Sequence, residues 1–301
     1  MGDIMLNIIK SIVLGIIEGI TEWLPISSTG HMVLFDALWP MEESASFIEF
    51  FLVVIQLGAI LAVVMLYWNK IWPLHRKGKG EPFFVKKDEK PLGFIKTFCN
   101  NYVHMNRIIL WLKILVASIP AAILGFAFDD QIDAMLTGDS RAFVVGTTLI
   151  IYGVLFIIIE SMRKKEKLLS TDNLPYKTAL LIGLMQCLAL VPGTSRSGTT
   201  ILGAILLGCS RTVAAEFSFF LSIPAMAGGS GIKLLKYLGD GNTFSSSQLL
   251  ILAVGMAVAF IVSVLAIKFL MSYIRKHDFK VFGYYRIILG IIVILYFALA
   301  K

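Results

Sequence analysis

The chain has 301 residues, of which 57% are hydrophobic and only 16% charged, and its mean hydropathy is +0.81. A water-soluble domain carries about a quarter charged residues and just under half apolar ones. Soluble enzymes, disordered tails and nucleic-acid binders are therefore excluded despite the net charge of +7. A polytopic membrane protein remains, its excess positive charge belonging to cytoplasmic loops and anionic headgroups.

Taken in chain order, the first apolar stretch, about 5–35, is interrupted by Pro, Gly, Ser, Thr and ionisable residues. Glu18 and Glu22 break it and no small-x-small pattern follows, so it does not read as a signal peptide. Clean runs long enough to cross a ~30 Å hydrocarbon core, which takes roughly 20 residues, follow near 48–68, 108–128 and 142–160. A second interrupted stretch, 178–208, precedes runs at 213–235, 249–270 and 284–300, which makes six full spans. Cys99, Cys187 and Cys209 show neither CxxC nor metal-ligand spacing.

Loop charges set the sides. Basic residues fill 69–107 (Lys70, Arg76, Lys77, Lys79, Lys86, Lys87, Lys90, Lys96, Arg107) and 161–177 (Arg163, Lys164, Lys165, Lys167, Lys177). The stretch 271–286 adds Arg275, Lys276, Lys280 and Arg286, and the positive-inside rule makes all three loops cytoplasmic. The acid-rich loops 36–49 (Asp36, Glu42, Glu43, Glu49) and 129–141 (Asp129, Asp130, Asp133, Asp139) fit outside. Parity then requires 178–208 to begin and end inside, and about 31 residues cannot cross twice. It reads as a re-entrant hairpin, and 5–35 reads by analogy as one entering from outside.

A self-comparison gives the same layout twice. A shift of 167 aligns Pro25 with Pro192, Ser28 with Ser195 and Glu49-Phe50 with Glu216-Phe217. A shift of 168 aligns Gly15 with Gly183 and Glu18 with Gln186. The expected fold is an all-α polytopic membrane protein with an inverted-topology repeat, six full transmembrane helices and two re-entrant helical hairpins. It forms one integral domain, with repeat 1 at about 1–160, repeat 2 at about 177–301, and the long basic loop 69–107 on the cytoplasmic side. Such architectures place sites near the bilayer midplane, where broken helices meet.

Both broken segments carry chemistry. Glu18 and Glu22 stand at i and i+4 on one helix face, where like charges repel and burial in lipid costs a few kcal/mol each. A cation, an arginine, a shared proton or a water-filled cavity must compensate them. Pro25 ends the helix, and Ser27-Ser28-Thr29-Gly30 then offers hydroxyls and backbone N–H groups at the next helix start. That turn serves either as an anion cradle or as plain capping. His31 follows, the one histidine of four away from the basic loops. The second segment, Pro192-Gly193-Thr194-Ser195-Arg196-Ser197-Gly198-Thr199-Thr200, sets one arginine among hydroxyls in an apolar stretch. Its guanidinium needs an anion: a phosphate, or Glu18 or Glu22. No Walker sequence or GxGxxG occurs. If the repeat brings both turns together, two carboxylates, a histidine, an arginine and several hydroxyls suit phosphoryl transfer.

Glu18-x-x-x-Glu22 with Ser-Ser-Thr-Gly-His31, paired with Pro192-Gly193-x-Ser195-Arg196-Ser197 and Thr200, closely resembles the undecaprenyl-diphosphate phosphatase family, also called bacitracin-resistance protein A. The resemblance covers essentially the whole chain. It implies removal of the terminal phosphate of undecaprenyl diphosphate to regenerate the lipid carrier of cell-wall precursors, with bacitracin resistance on overproduction. It also implies the bacterial inner membrane, a site opening outward, support by divalent cations (Mg or Ca) and interlocked inverted repeats. The family's essential acids fall on Glu18 and Glu22, which would also be its metal ligands, its histidine on His31 and its arginine on Arg196. Its phosphate-binding positions fall on Ser27, Ser28, Thr29, Gly193, Ser195, Ser197 and Thr200.

Three mechanisms stay open: attack by Ser28 with Glu22 or His31 as base, which is favoured; a phosphohistidine at His31; or a metal-activated water. A secondary transporter or a flippase for an anionic or lipid-phosphate solute is the rival class. The expected partners are undecaprenyl diphosphate and membrane lipid but no nucleic acid, with a homodimer left open.

Overall fold

The computed structural model describes residues 2–77, 83, 94–128, 131–132, 134–135, 140–162 and 166–299. Of the loop charges above, Lys79, Lys86, Lys87, Lys90, Asp129, Asp130, Asp133, Asp139, Arg163, Lys164 and Lys165 lie outside the described residues. The helices are α1 (Gly2–Thr21), α2 (Ser28–Leu38), α3 (Ala45–Val54), α4 (Gln56–Leu66), α5 (Trp68–Ile71), α6 (Phe94–Tyr102) and α7 (Met105–Ala127). They continue with α8 (Arg141–Ser161), α9 (Tyr176–Gln186) with a 3-10 turn Cys187–Leu190, α10 (Arg196–Leu206), α11 (Arg211–Gly239), α12 (Ser246–Tyr273) and α13 (Lys280–Leu299). Among the described residues the only β structure is two isolated bridges, Leu74 with Val103 and Leu168 with Cys209.

Seven of these helical segments are long and apolar enough to cross a membrane, where the sequence reading counted six. The added one is Ile4–Thr21. Glu18 and Thr21 interrupt its hydropathy but not its hydrogen bonding. Thr21 Oγ1 donates back to the carbonyl of Ile17 at 2.7 Å, and the first residue lacking an N–H is Pro25. The expected span 48–68 is Ala45–Leu66, a hinged pair in which α3 meets α4 at Ile55.

Two further expectations are corrected. Arg286 is no loop residue: it lies inside α13 and is fully buried. Hydropathy cannot distinguish a charge on a loop from one turned inward near a helix start. The two turns are alike in local structure at a separation of 168 residues, not 167. Ser27 and Ser195 are the equivalent N-caps, at φ 73° and 69°, and their hydroxyls accept from Gly30 N and Gly198 N, respectively. Pro25 therefore has no proline counterpart in register, and Ser28 corresponds to Arg196.

Packing between the halves is reciprocal. α1 runs along α12 while α9 runs along α7, and α8 lies against α13. The last contact is set by glycines: a Cβ on Gly153 would stand 2.7 Å from the Gly283 carbonyl, and one on Gly290 2.6 Å from the Gly146 carbonyl. With lipid as apolar as any side chain, such close backbone approach is a main source of helix association. Gly15 and Gly183, equivalent in the 168 register, seat α1 on the Gly255 backbone and α9 on the Ala117 backbone.

Polar contacts tie the helix ends into two groups. In one, Asn7 Nδ2 donates to Glu42 O at 2.9 Å, Lys10 Nζ reaches Glu42 Oε1 at 3.1 Å, and Gln248 Nε2 donates to Glu43 at 3.0 Å. In the other, the buried Glu160 takes the Arg211 guanidinium at 2.6 Å and the Phe279 N–H at 3.1 Å. Lys70 there meets Glu216 at 2.9 Å, and the N–H groups of Lys167 and Leu168 donate to the Gly208 carbonyl.

Candidate active site

The two turns meet. Arg196 Nη2 donates to Glu22 Oε1 at 2.7 Å, joining residues 174 apart in sequence, and both side chains are largely buried. The second guanidinium arm, Nη1, donates to the Ser218 carbonyl on α11 at 2.7 Å. Thr200 locks the same place, its hydroxyl donating to the Arg196 carbonyl at 2.8 Å or sharing a proton with Ser218 Oγ at 2.7 Å. Of the anions weighed for Arg196, Glu22 is in contact with it.

Each functional side chain sits where its local sequence puts it. Pro25 stops α1 and lets the chain reverse, and a serine held at positive φ starts the next helix on each side. Positive φ in a non-glycine residue costs on the order of 1–3 kcal/mol and persists where surrounding contacts enforce it. Enforcement here comes from Arg286. Its Nη1 donates to the Pro25 carbonyl at 3.2 Å, and its Nη2 to the carbonyls of Gly193 and Thr194 at 2.9 and 2.8 Å. One fully buried cation thereby pins both turns at once, cushioned by the rings of Tyr152 and Phe156 at 5.5 and 5.9 Å. Among the described residues it has no carboxylate partner.

The remaining candidates fall around this frame. Ser28 Oγ lies 3.5 Å from Glu22 Oε2, at the outer limit of a hydrogen bond. Glu18, one turn earlier on the same face, is buried, and among the described residues its Oε1 has no hydrogen-bond partner. His31 gives Nδ1–H to the Ser27 carbonyl at 2.8 Å, while Nε2 lies 2.7 Å from the Tyr285 hydroxyl, with the two rings stacked at 5.7 Å. Both imidazole nitrogens are thus engaged, neither of them with Ser28. Ser195 and Ser197 share a 3.2 Å contact. Gly193, at φ 87°, packs against Val145 and Thr148 on α8 and turns its carbonyl to Arg286. Thr29 flanks the first turn, half-buried, and Ser27 spends its hydroxyl on its own helix start.

The sequence reading missed three residues: Ser218, Tyr285 and Arg286. The last two came within reach of it as members of the supposed loop 271–286. Ser218 sits mid-helix in an apolar run and carries no pattern of its own.

Polytopic membrane proteins with an ionisable site between two broken helices are the class that this fold and site define. Residues 11–292 match the family model of bacitracin resistance protein BacA, and the chain belongs to that family. It is 55% identical to an undecaprenyl-diphosphatase of Acetivibrio thermocellus over 97% of this chain and 98% of that protein. It is 54% identical to one of Enterococcus faecalis over 96% and 97%. Identity to undecaprenyl-diphosphatase 1 of Clostridioides difficile is 49% over 98% of each chain.

Proposed function

We propose that the chain hydrolyses undecaprenyl diphosphate to undecaprenyl phosphate and inorganic phosphate at the junction of the two turns. This recycles the cell-wall lipid carrier and confers bacitracin resistance. The observation that carries the site assignment is the Glu22–Arg196 contact inside a ring of hydroxyls. A phosphate reaching Arg196 competes with Glu22 for the guanidinium and releases that carboxylate as a base.

Ser28 is the nucleophile in this reading. Its Oγ attacks the distal phosphorus, its proton passes to Glu22, and the bond from that phosphorus to the bridging oxygen breaks. Undecaprenyl phosphate leaves with the electron pair. Glu22 passes that proton to the departing phosphate and is a carboxylate again. Water then attacks the phosphoserine and gives a proton to Glu22, the P–Oγ bond breaks, and Ser28 Oγ takes that proton back from Glu22. Arg196 and the hydroxyls of Ser197 and Thr200 hold the equatorial oxygens. The geometry favours Glu22 over His31 as the base, because both nitrogens of His31 are committed elsewhere.

A divalent cation fits the same place, since among the described residues Glu18 presents a buried, unpartnered carboxylate oxygen beside Glu22. Glu18 and Glu22 would hold it, with phosphate and water completing the shell as is usual for magnesium. It would supply neutralisation of charge on the diphosphate.

The finer architecture belongs to this proposal too. Asn7 and Lys10 on α1 reach the loop just after α2, so the first hairpin enters and leaves at one level. The N–H groups of Lys167 and Leu168 do the same for the second at Gly208. With 11 residues each, α2 and α10 rise about 16 Å, half of a ~30 Å core. Both turns then lie at the midplane of an inverted repeat. The basic ends face the cytoplasm, and the site opens to the outer side of the bacterial inner membrane.

The test is phosphate release from undecaprenyl or farnesyl diphosphate by purified protein in detergent, beside Arg196→Ala and with and without chelator. Loss in the variant alone is expected to be about 10²–10³-fold. No release by folded, lipid-replete wild type sinks the phosphatase reading.

A further inference from the structure

The basic segment between α5 and α7 contains a feature that hydrolysis does not use. In α6, at 100° per residue, Phe94, Ile95, Phe98, Cys99 and Tyr102 fall in one sector, and Lys96, Thr97, Asn100 and Asn101 occupy the opposite one. No residue of α6 is buried, and Phe94, Ile95 and Phe98 are 86%, 76% and 50% exposed. A helix this amphipathic, with its apolar face uncovered, needs an apolar neighbour.

Its height is fixed by backbone bonds. Leu74 bridges Val103, His75 N donates to the Tyr102 carbonyl at 2.9 Å, and His104 N to the Pro73 carbonyl at 2.7 Å. Just before this tether stand Trp68 and Trp72, stacked at 4.4 Å and both exposed, at the end of the Ala45–Leu66 span. Tryptophans so placed mark a membrane–water boundary. α6 is therefore held at the bilayer surface.

Nitrogen donors gather at the same level. The His75 and His104 rings lie 4.4 Å apart, and Arg107 donates to the Trp72 carbonyl. Among the described residues no carboxylate pairs with any of them. His104 is held below its ordinary pKa by burial first and then by Arg107 and His75. The whole stretch 69–107 carries nine lysines and arginines against three acids.

We propose that α6 lies flat in the headgroup–acyl boundary on the basic side of the membrane, and that His75, His104 and Arg107 hold the phosphate of an anionic phospholipid there. This rests on the membrane-spanning reading and not on the phosphatase reading. Cys99, on the apolar sector, is a native reporter.

The protein is reconstituted into nanodiscs of phosphatidylcholine alone, or with about a third phosphatidylglycerol, a surface that adds roughly 1 kcal/mol of attraction per basic residue. Cys99 is treated with a water-soluble maleimide, and the adduct is located by peptide mass spectrometry. Slow labelling is expected with phosphatidylglycerol. The rate should rise about fivefold in Arg107→Gln, which removes one cation, rise in His104→Gln through the lost N–H donor, and rise further in Phe94→Ser/Phe98→Ser. Phosphate release by these variants should stay at the wild-type level, since none of these residues touches the site. Labelling that is as fast in both nanodiscs as in the denatured chain overturns the proposal. So does slow labelling indifferent to phosphatidylglycerol, which would leave an apolar foot without a headgroup site. The wild-type comparison decides even if a variant fails to fold.

Discussion

Replacing Arg286 with methionine tests the central structural claim about the site. The guanidinium makes three hydrogen bonds to carbonyls of two turns that are also joined through Glu22 and Arg196. Methionine fills much of the volume but leaves those carbonyls buried and unsatisfied, at about 1–3 kcal/mol each. The Pro25 bond is the longest at 3.2 Å, so the sum falls near 3–6 kcal/mol, a large part of a typical total stability of 5–15 kcal/mol. Arg286→Lys is the sharper variant, because it keeps the charge but one ammonium cannot span both turns. We expect it to fold, with a lowered melting temperature, while kcat for phosphate release falls about 100-fold, the usual result of an ångström-scale misplacement. KM should change far less, because Arg196 still binds phosphate. A folded Arg286→Lys protein with wild-type kcat would refute the view that this cation positions the two turns.

Three other outcomes follow from the same geometry. Glu18→Gln should raise the melting temperature by removing one of two like charges from a buried face, while abolishing any stimulation by divalent cation; thermal unfolding and a magnesium titration check the pair. Tyr285→Phe removes one partner of His31 at a cost of about 1 kcal/mol, so activity should fall roughly fivefold, against a much larger loss in His31→Ala. Gly153→Leu drives a side chain into the Gly283 backbone at the α8–α13 contact and should destabilise the fold by at least 1–3 kcal/mol, read as lower yield and earlier thermal unfolding.

Much of this was legible in the sequence because lipid enforces simple rules. Runs of about 20 apolar residues found the long helices, and Pro25, Pro192 and the clustered hydroxyls marked where two segments break. Glu22 and Arg196 were conspicuous because a charge inside an apolar run needs a partner. What was lost was whatever depends on direction or on three-dimensional register. Arg286 sits six residues into a helix whose first turn is basic, so the positive-inside rule absorbed it into a loop. Ser218 acts partly through its carbonyl, which any residue would supply. The one-residue slip in the repeat arose because Pro25 and Pro192 are the most visible landmarks, while the equivalent positions are two serines with left-handed backbones.

The 168-residue spacing separates what the two turns share from what they do not. At 168 residues apart, Ser27 matches Ser195 and Gly30 matches Gly198, which is the scaffold: an N-cap and the N–H it accepts. The candidate site positions differ in every case, with Glu18 against Gln186, Glu22 against Leu190, Ser28 against Arg196 and His31 against Thr199. The first turn holds acids and the second a base-proof cation. Each alone would leave a charge uncompensated within the bilayer, at a cost of several kcal/mol. Packed face to face they neutralise one another through the 2.7 Å Glu22–Arg196 contact. Among the described residues Arg286 has no such partner and bonds backbone carbonyls instead, so of the two cations Arg196 is the one that the proposed phosphate would take over.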